Sequence, residues 1–203
     1  MGEEVMDHPF LLDDKCQLAR VTQDVLDHYK PFSCGEEDLD DFFANNAIAY
    51  EREMMGKTYC WVLREDITTI VGMVTLANAG IHTTHMQNHP RRKLNDHIAY
   101  SKQGRTYPAV LIGRLGVSED FQGSRYRIGA QIMDFIKDWF KSYDNKTGCR
   151  FLLVDAVNNK HAIDYYERNG FRPLFPRIED EKTFYNIPVS EELRTRMYYF
   201  DLL

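Results

Sequence analysis

The chain has 203 residues, 43% of them hydrophobic and 28% charged, and its 25 basic and 31 acidic side chains give a net charge of −6. This length can bury a substantial core, and the composition is too rich in aromatic residues for an intrinsically disordered protein. The negative charge argues against a membrane partner and makes nucleic acid an unlikely partner, although the basic stretch from Pro90 to Arg105 is a local exception. We predict one domain covering residues 1–203.

The cysteine spacing and the distribution of apolar residues bear on the compartment. The four cysteines include no C-x-x-C pair, which argues against a zinc site and against a dense disulfide framework. The first residues resemble no leader peptide, and no apolar run approaches the roughly 18 residues that span a bilayer. We therefore expect free thiols and a cytoplasmic protein.

The first half predicts a strand, a helical region and a hairpin. Cys16 to Val21 reads as the strand, and Gly56 is expected to end the helical region. Thr58 to Leu63 and Ile67 to Leu76 are rich in β-branched and aromatic residues, which predicts two antiparallel strands. The apolar residues at helical spacing between these parts are Leu39, Phe42, Phe43, Ala47 and Tyr50.

The second half alternates strands and helices, after a surface excursion with some helix at about 80–107. Such an order implies parallel pairing with a covering helix. The predicted elements are a strand at Ala109 to Val117, a helix at Ile128 to Tyr143, a strand at Arg150 to Val157 and a helix at Ala162 to Arg168. Further material for closing strands is expected in Phe171, Phe184-Tyr185 and Met197 to Leu203.

The junction between the strand ending at Val117 and the helix starting near Ile128 is the most informative feature. It contains Gln122, Gly123 and Gly129 in a polar loop. Glycines allow a phosphate to approach the backbone, and the helix N-terminus adds free amides and about half a positive charge. Alone, the pattern is a weak signal, and a plain structural turn fits it better.

Several linked segments resemble the GNAT acyltransferase family, over roughly residues 29–203. Ile112-Gly-Arg-Leu-Gly-Val117 followed by Gln122-Gly123 is similar to the family's fourth strand and the start of its Q/R-x-x-G-x-G/A pyrophosphate loop. Asn159-Lys-His-Ala162 and Tyr166-Glu-Arg-Asn-Gly170-Phe171 resemble its N-x-x-A and Y-x-x-x-G-F segments. The loop departs from the common Q-G-x-G-x-G by a two-residue expansion that loses the middle glycine.

The resemblance implies a fold, a cosubstrate and a set of site residues. The fold would be α/β, with a mixed central sheet of six to seven strands flanked by helices, and the cosubstrate acetyl-CoA. Tyr166 would be the general acid that protonates the leaving sulfur. The implied cofactor-binding residues are Leu115, Gly116, Val117, Gln122, Gly123, Ser124, Arg125, Arg127, Ile128, Gly129, Ala130 and Asn159. Arg125 and Arg127 are either cationic contacts or exposed turn residues, and Asn159 is either a ligand contact or a helix cap.

The general base is not identified by the sequence. An acceptor amine that is mostly protonated at neutral pH needs one. Glu119, Asp155 and His161 lie near the presumed site in chain order, and a water relay is an alternative. Four histidines between His82 and His97 lack a convincing ligand register, so no metal is predicted.

The acceptor is predicted only by class. The main hypothesis is a small-molecule or peptide amine. A second rests on Phe32-Ser-Cys-Gly35 and Leu39-Asp-Asp-Phe-Phe43, which resemble the GNAT subgroup of toxins that acetylate aminoacyl-tRNA, so tRNA is not excluded. A third is a catalytically silent acyl-CoA-binding module. The oligomeric state is left open, with a homodimer as one alternative.

Overall fold

The computed structural model describes residues 10–83, 86, 91–92, 94, 106–123, 125–145 and 147–203. The chain divides into two compact units. The first comprises Met1–Leu76 and Arg114–Ile136, and the second comprises Ala77–Gly113 and Lys137–Leu203. The single domain over residues 1–203 stays a prediction.

Seven strands form a mixed sheet in the described part of the chain. Their order across the sheet is β1-β2-β3-β4-β5-β7-β6. The pairs β1–β2, β2–β3, β5–β7 and β6–β7 are antiparallel, whereas β4 and β5 are parallel. The strands are β1 Cys16–Arg20, β2 Lys57–Leu63, β3 Ile70–His82, β4 Thr106–Val117, β5 Phe151–Val157, β6 Arg172–Pro173 and β7 Thr195–Asp201.

Helical segments connect these strands. One continuous helical run consists of Glu37–Asp41, a π-helical stretch at Phe42–Asn46, and Ala47–Arg52. A 3₁₀ turn at Glu119–Phe121 follows β4. The α-helices are α1 Leu12–Lys15, α2 Gln23–His28, α3 Glu37–Asp41, α4 Ala47–Arg52, α5 Ile128–Lys141, α6 Lys160–Arg168 and α7 Ile178–Tyr185. Among the described residues, no helix is long and apolar enough to cross a membrane.

The first unit covers both faces of its strands. On one face, Phe42, Phe43 and Ala47 pack with buried residues of β2 and β3 such as Cys60 and Met73. The other face carries α5. Ile132 of this helix lies close to Gly72, and a Cβ at Gly72 would stand 2.7 Å from Cδ1 of Ile132. Trp61 of β2 and Phe135 of α5 meet edge to face, with ring centroids 5.4 Å apart. Apolar burial on both faces therefore fixes α5 and the α3–α4 run on this sheet.

The second unit has its own core around β4, β5 and β7, which includes Tyr107, Phe151 and Tyr199. A buried ion pair lies beside it, in which Arg196 Nε donates to Glu181 Oε2 over 2.6 Å. The second carboxylate oxygen of Glu181 accepts a hydrogen bond from the Met197 amide, so α7 is tied to β7 by charged and backbone groups together.

Most predicted elements are present, and two details differ. The second hairpin strand begins at Ile70 rather than Ile67 and continues to His82, so the excursion is shorter than predicted at both ends. Phe184 and Tyr185 end helix α7 and do not form a closing strand, because Glu181 anchors that segment as a helix. The β4–β5 pairing is parallel as predicted.

Candidate functional site

Strand β4 carries the predicted backbone contacts of the first unit, Leu115, Gly116 and Val117. Gly116 faces the Cys34–Phe43 segment, and a Cβ at this position would lie 3.1 Å from Cys34 Sγ and 3.2 Å from Phe43 Cε2. Only glycine allows the segment to come so near without displacement. The parallel ladder from β5 covers Ala109 to Leu111, so this part of β4 lies beyond the residues that pair with β5.

Gln122 ties the end of β4 to the Cys34–Phe43 segment. Its Nε2 donates to the carbonyl of Cys34 over 2.7 Å and to that of Val117 over 2.8 Å. The Ser33 hydroxyl reinforces this junction, 3.0 Å from Glu119 Oε2 and 2.7 Å from Asp40 Oδ2. Both amide hydrogens of Gln122 are used on backbone carbonyls, so its side chain shapes the loop, and its contact with the cofactor stays a prediction.

Two of the described residues in the glycine-bearing loop have a left-handed backbone. Gly123 has φ +96°, and no heavy atom lies within 4 Å of where its Cβ would stand. Arg127 has φ 51°, in the region that glycine tolerates best. Arg127 stands two residues before Gly129, at the position where the family pattern has its middle glycine. The turn thus holds an arginine in a backbone conformation that is costly for a residue with a side chain.

The start of α5 follows this turn directly. Ile128 is buried, and the amides of Ala130 and Gln131 donate to the Arg127 carbonyl over 3.0 and 3.1 Å. Gly129 is half-buried, whereas Arg125 and Arg127 are exposed, and the Arg125 guanidinium lies 5.2 Å from the Tyr126 ring centroid. Ser124, also predicted to bind the cofactor, lies outside the described residues. The loop therefore presents exposed cations beside an open glycine and a helix N-terminus.

Gln131 joins the N-terminal segment to the loop, a role that no signal in the sequence predicts. Its Oε1 accepts from the Leu12 amide over 2.7 Å, and its Nε2 donates to the carbonyls of Phe10 and Tyr126 over 2.9 and 2.8 Å. The Phe10 ring also packs against Tyr126 and Phe121, with centroids 5.4 and 5.7 Å away. The N-terminal segment and the loop are thereby held to α5 by one glutamine and three aromatic rings.

Tyr166 lies on α6 in the second unit. The motif Y-x-x-x-G-F has a geometric cause there, because Gly170, with φ +82°, ends the helix and the Phe171 amide donates back to the Tyr166 carbonyl over 3.0 Å. The Phe171 ring then packs on Tyr166, with centroids 5.7 Å apart. Burial, and second the charge of Asp155, raise the pKa of the Tyr166 phenol to about 12.

Asp155 is distinguished from the other two base candidates by its surroundings. Burial by neighbouring groups raises the pKa of its carboxyl, and its charge acts on the phenol of Tyr166. Asp155 is exposed to solvent, as is His161 of α6, so the neighbouring groups that raise the pKa of Asp155 cover it only in part. Glu119 is hydrogen-bonded to Ser33. Of the three, Asp155 has the electrostatic link to the predicted acid.

Asn159 caps helix α6. Its side chain accepts a hydrogen bond from the Ala162 amide over 2.8 Å, which accounts for the N-x-x-A spacing. All four cysteines are free thiols, and burial raises the pKa of Cys34 to about 11. The described residues contain no group of three or more potential metal ligands, and His85, His89 and His97 lie outside them.

Comparison with known proteins places these features in context. A family model described as an acetyltransferase (GNAT) domain matches residues 56–173. The chain is 27% identical to a tRNA-acetylating toxin of Mycobacterium tuberculosis over 140 residues, which is 68% of this chain and 75% of that protein.

Two solved structures have a similar fold. AtaT in complex with acetyl-methionyl-tRNAfMet matches with a TM-score of 0.61 and 20% identity, covering 92% of this chain and 94% of that one. A tyrosine-to-phenylalanine mutant of AtaT, bound to the C-terminus of the antitoxin AtaR and to acetyl-CoA, matches with a TM-score of 0.58 and 19% identity over 93% and 94% of the two chains. These likenesses confirm the predicted α/β fold class, a mixed sheet flanked by helices.

The role of Gln131 is testable with an isosteric variant. Gln131→Met removes three hydrogen bonds to backbone groups, each worth about 1 kcal/mol. We expect coenzyme A to bind about tenfold more weakly, equivalent to about 1.4 kcal/mol, as measured by isothermal titration. Gln23→Met, in an exposed glutamine of α2, is the matched control, and equal affinities for the two variants would contradict the role.

The strain at Arg127 gives a second test. Arg127→Gly removes a left-handed arginine, so we expect the free energy of unfolding to rise by about 0.5–1 kcal/mol. If the guanidinium also contacts the ligand, coenzyme A binding weakens about fivefold, near 1 kcal/mol, and Arg127→Asn, which tolerates the same backbone, weakens it equally. A more stable protein with unchanged affinity would leave Arg127 as a turn residue only.

Proposed function

The chain belongs to the GNAT acetyltransferase family, whose model covers more than half of it, and on that premise we propose that its acetyl acceptor is the α-amino group of an aminoacyl-tRNA. The observation that carries the proposal is the similarity to a tRNA-acetylating toxin over about two thirds of the chain. The chain is an N-acetyltransferase, and its donor is acetyl-CoA.

The N-terminal half supports this acceptor over a small-molecule or peptide amine. Residues 32–43, which resemble the toxin subgroup, are the ones that pack on β4 at Gly116. In this fold, acceptor choice depends on the segments that cover β4, so a likeness in that segment bears directly on the acceptor. The net charge of −6 means that any RNA contact must be local instead of spread over the surface.

The first unit has residues that fit the donor. Acetyl-CoA supplies an acetyl group activated as a thioester and carries a pyrophosphate. The loop offers an open Gly123, two exposed arginines at 125 and 127 and the start of α5, which together suit an anion. The backbone of Leu115 to Val117 is the proposed partner of the pantetheine arm, in the manner of an added strand.

Tyr166 is the proposed general acid. A phenol with a pKa near 12 stays protonated throughout the physiological range and can give its proton to the departing sulfur. The negative charge of Asp155 opposes ionisation of the phenol, so it keeps the proton on Tyr166 until the thiolate departs. Asp155 is the proposed base for the acceptor ammonium, because its raised pKa brings it closer to the operating pH.

Replacement of Tyr166 tests both the reaction and the acid. Purified protein should transfer acetyl from acetyl-CoA to a mixed pool of aminoacyl-tRNAs, as detected by mass spectrometry of the released aminoacyl groups. We expect Tyr166→Phe to lower kcat about 10²- to 10⁴-fold, the usual contribution of a positioned acid, with little change in the Kd of acetyl-CoA. Tyr165→Phe, one residue away on the same helix, is the control.

The same variants can be compared in cells. Expression of the wild-type chain in a bacterial host should arrest growth, and Tyr166→Phe should relieve the arrest. Acetyl-CoA binding without transfer to any aminoacyl-tRNA or amine would instead indicate a silent acyl-CoA-binding module. Efficient transfer to simple amines, with none to aminoacyl-tRNA, would return the acceptor to the small-molecule class.

The pH dependence of kcat/KM tests Asp155. A base acts when it is deprotonated. Since the pKa of Asp155 in the folded protein is raised, the acid limb that Asp155 causes in the pH profile of kcat/KM should lie above the ordinary aspartate range. The acceptor amine must also lose its proton, so log kcat/KM should fall with slope 1 below the amine pKa and slope 2 below that of Asp155. In Asp155→Asn, slope 1 should persist to the lowest pH, at a lower rate. A wild-type profile with slope 1 throughout would remove Asp155 as the base.

A further inference from the structure

Arg114 is a cation held against aromatic rings in the first unit. Its guanidinium carbon lies 3.5 Å from the centroid of the Phe42 ring and 5.2 Å from that of Tyr50. A guanidinium stacked in this way is held flat while its in-plane N–H groups remain able to donate. Arg114 is half-buried, and none of its nitrogens is a fully buried atom without a hydrogen-bond partner.

Two carboxylates of the neighbouring helices serve other groups. Glu51 pairs with Arg20, and Asp41 accepts from the side chains of Asn45 and Asn46. Within the part of the chain that the structure describes, the Arg114 guanidinium stacks on the two aromatic rings and forms no ion pair with these carboxylates. An arginine that is oriented but not neutralised is suited to an anion from outside the protein.

The place of Arg114 along β4 indicates which anion this is. Residues 114 and 116 share one face of the strand, and Gly116 on that face meets Cys34 and Phe43. Arg114 therefore lies under the same covering segment, about 10 Å before Val117 along the strand. The pyrophosphate loop follows Val117, so Arg114 stands at the opposite end of the proposed pantetheine strand.

The ring that supports Arg114 begins the π-helical stretch at Phe42–Asn46. Such single-turn insertions in a helix are uncommon and occur frequently at functional sites. Phe42 is the first residue of this turn and Tyr50 follows it in α4, and the helical run places both rings beside one guanidinium. The local backbone and the cation thus form one arrangement, built from the segment that resembles the toxin subgroup.

We propose that Arg114 binds a phosphodiester group close to the 3′ end of the acceptor tRNA. The inference rests on the proposed function and specifies one of its contacts. An aminoacyl group that reaches the thioester beside Leu115 to Val117 brings the terminal nucleotides with it, and their phosphates are the nearest anions. The fork of a stacked arginine can donate two parallel hydrogen bonds to such a phosphate.

The test compares Arg114→Gln with the wild type on two acceptors. With aminoacyl-tRNA, kcat/KM should fall about tenfold, and the slope of log kcat/KM against log salt should become less steep by about 0.7, the value for one contact to a single strand. With a 3′-aminoacyl adenosine, which has no phosphate, the two proteins should have equal kcat/KM. The Kd of acetyl-CoA should not change, which separates this anion from the phosphates of the donor.

Two further variants control for folding and for charge. Arg114→Lys keeps the charge but loses the planar fork, so its activity on aminoacyl-tRNA should be intermediate. Arg64→Gln removes one charge from an exposed arginine between β2 and β3 and should leave the salt slope unchanged. Unfolding curves of Arg114→Gln should match those of the wild type to within about 1 kcal/mol.

The possible failures are distinguishable. If the wild type acetylates aminoacyl-tRNA and Arg114→Gln has the same rate and salt slope, the phosphate contact is wrong while the function stands. An equal loss on the phosphate-free adenosine would also overturn it, since Arg114 would then act on the aminoacyl group or on packing. If the wild type acetylates no aminoacyl-tRNA, the proposed function and this inference fail together.

Discussion

The Cys34–Phe43 segment lies directly on β4 because residue 116 has no side chain. With Cys34 and Phe43 so close that a Cβ at Gly116 would crowd both, the turn before α3 comes within reach of the end of β4. Gln122 can then bridge the carbonyls of Cys34 and Val117, Ser33 can approach Glu119, and Phe42 can lie under Arg114. The proposed acceptor-side contact and the start of the cofactor loop both follow from this one close approach.

Much of the fold was predictable because its signals are local. The apolar stripe of α5, the buried strands β4 and β5 and the charged turn of the first hairpin all follow from residues within a short window. Helix α7 was not predictable in this way, since Phe184 and Tyr185 suit a strand, and the segment is held by a bond from Glu181 to the backbone of a strand 16 residues later. A pairing at that distance leaves no periodicity in the sequence.

The candidate site also contains some residues with a local sequence signal and others that are held by distant residues. Tyr166 and Gly170-Phe171 form a recognisable motif because the helix stop and the ring contact lie within six residues. Gln131 has no such signal, because its partners Phe10 and Leu12 are more than 100 residues away in the chain. Arg127 could be recognised only as a lost glycine, and the backbone angle was needed to show that this residue is left-handed.

Tyr166 and Asp155 of the second unit gain their proposed roles from a shared environment. Burial disfavours the charged form of both Tyr166 and Asp155, and the charge on Asp155 further disfavours phenolate. An ionised carboxylate beside a neutral phenol is therefore the stable combination near neutral pH, with one group able to accept a proton and the other able to donate. In the proposed reaction, Asp155 takes a proton from the acceptor, and Tyr166 gives its proton to sulfur. The pair is then left as a protonated carboxyl and a phenolate, which is the less favoured combination, and it reaches this state only after acetyl transfer. The nitrogen of the new amide releases its second proton to solvent, and return of one proton from Asp155 to Tyr166, directly or through solvent, restores the pair. The electrostatics that set the resting state therefore also favour recovery after each turnover.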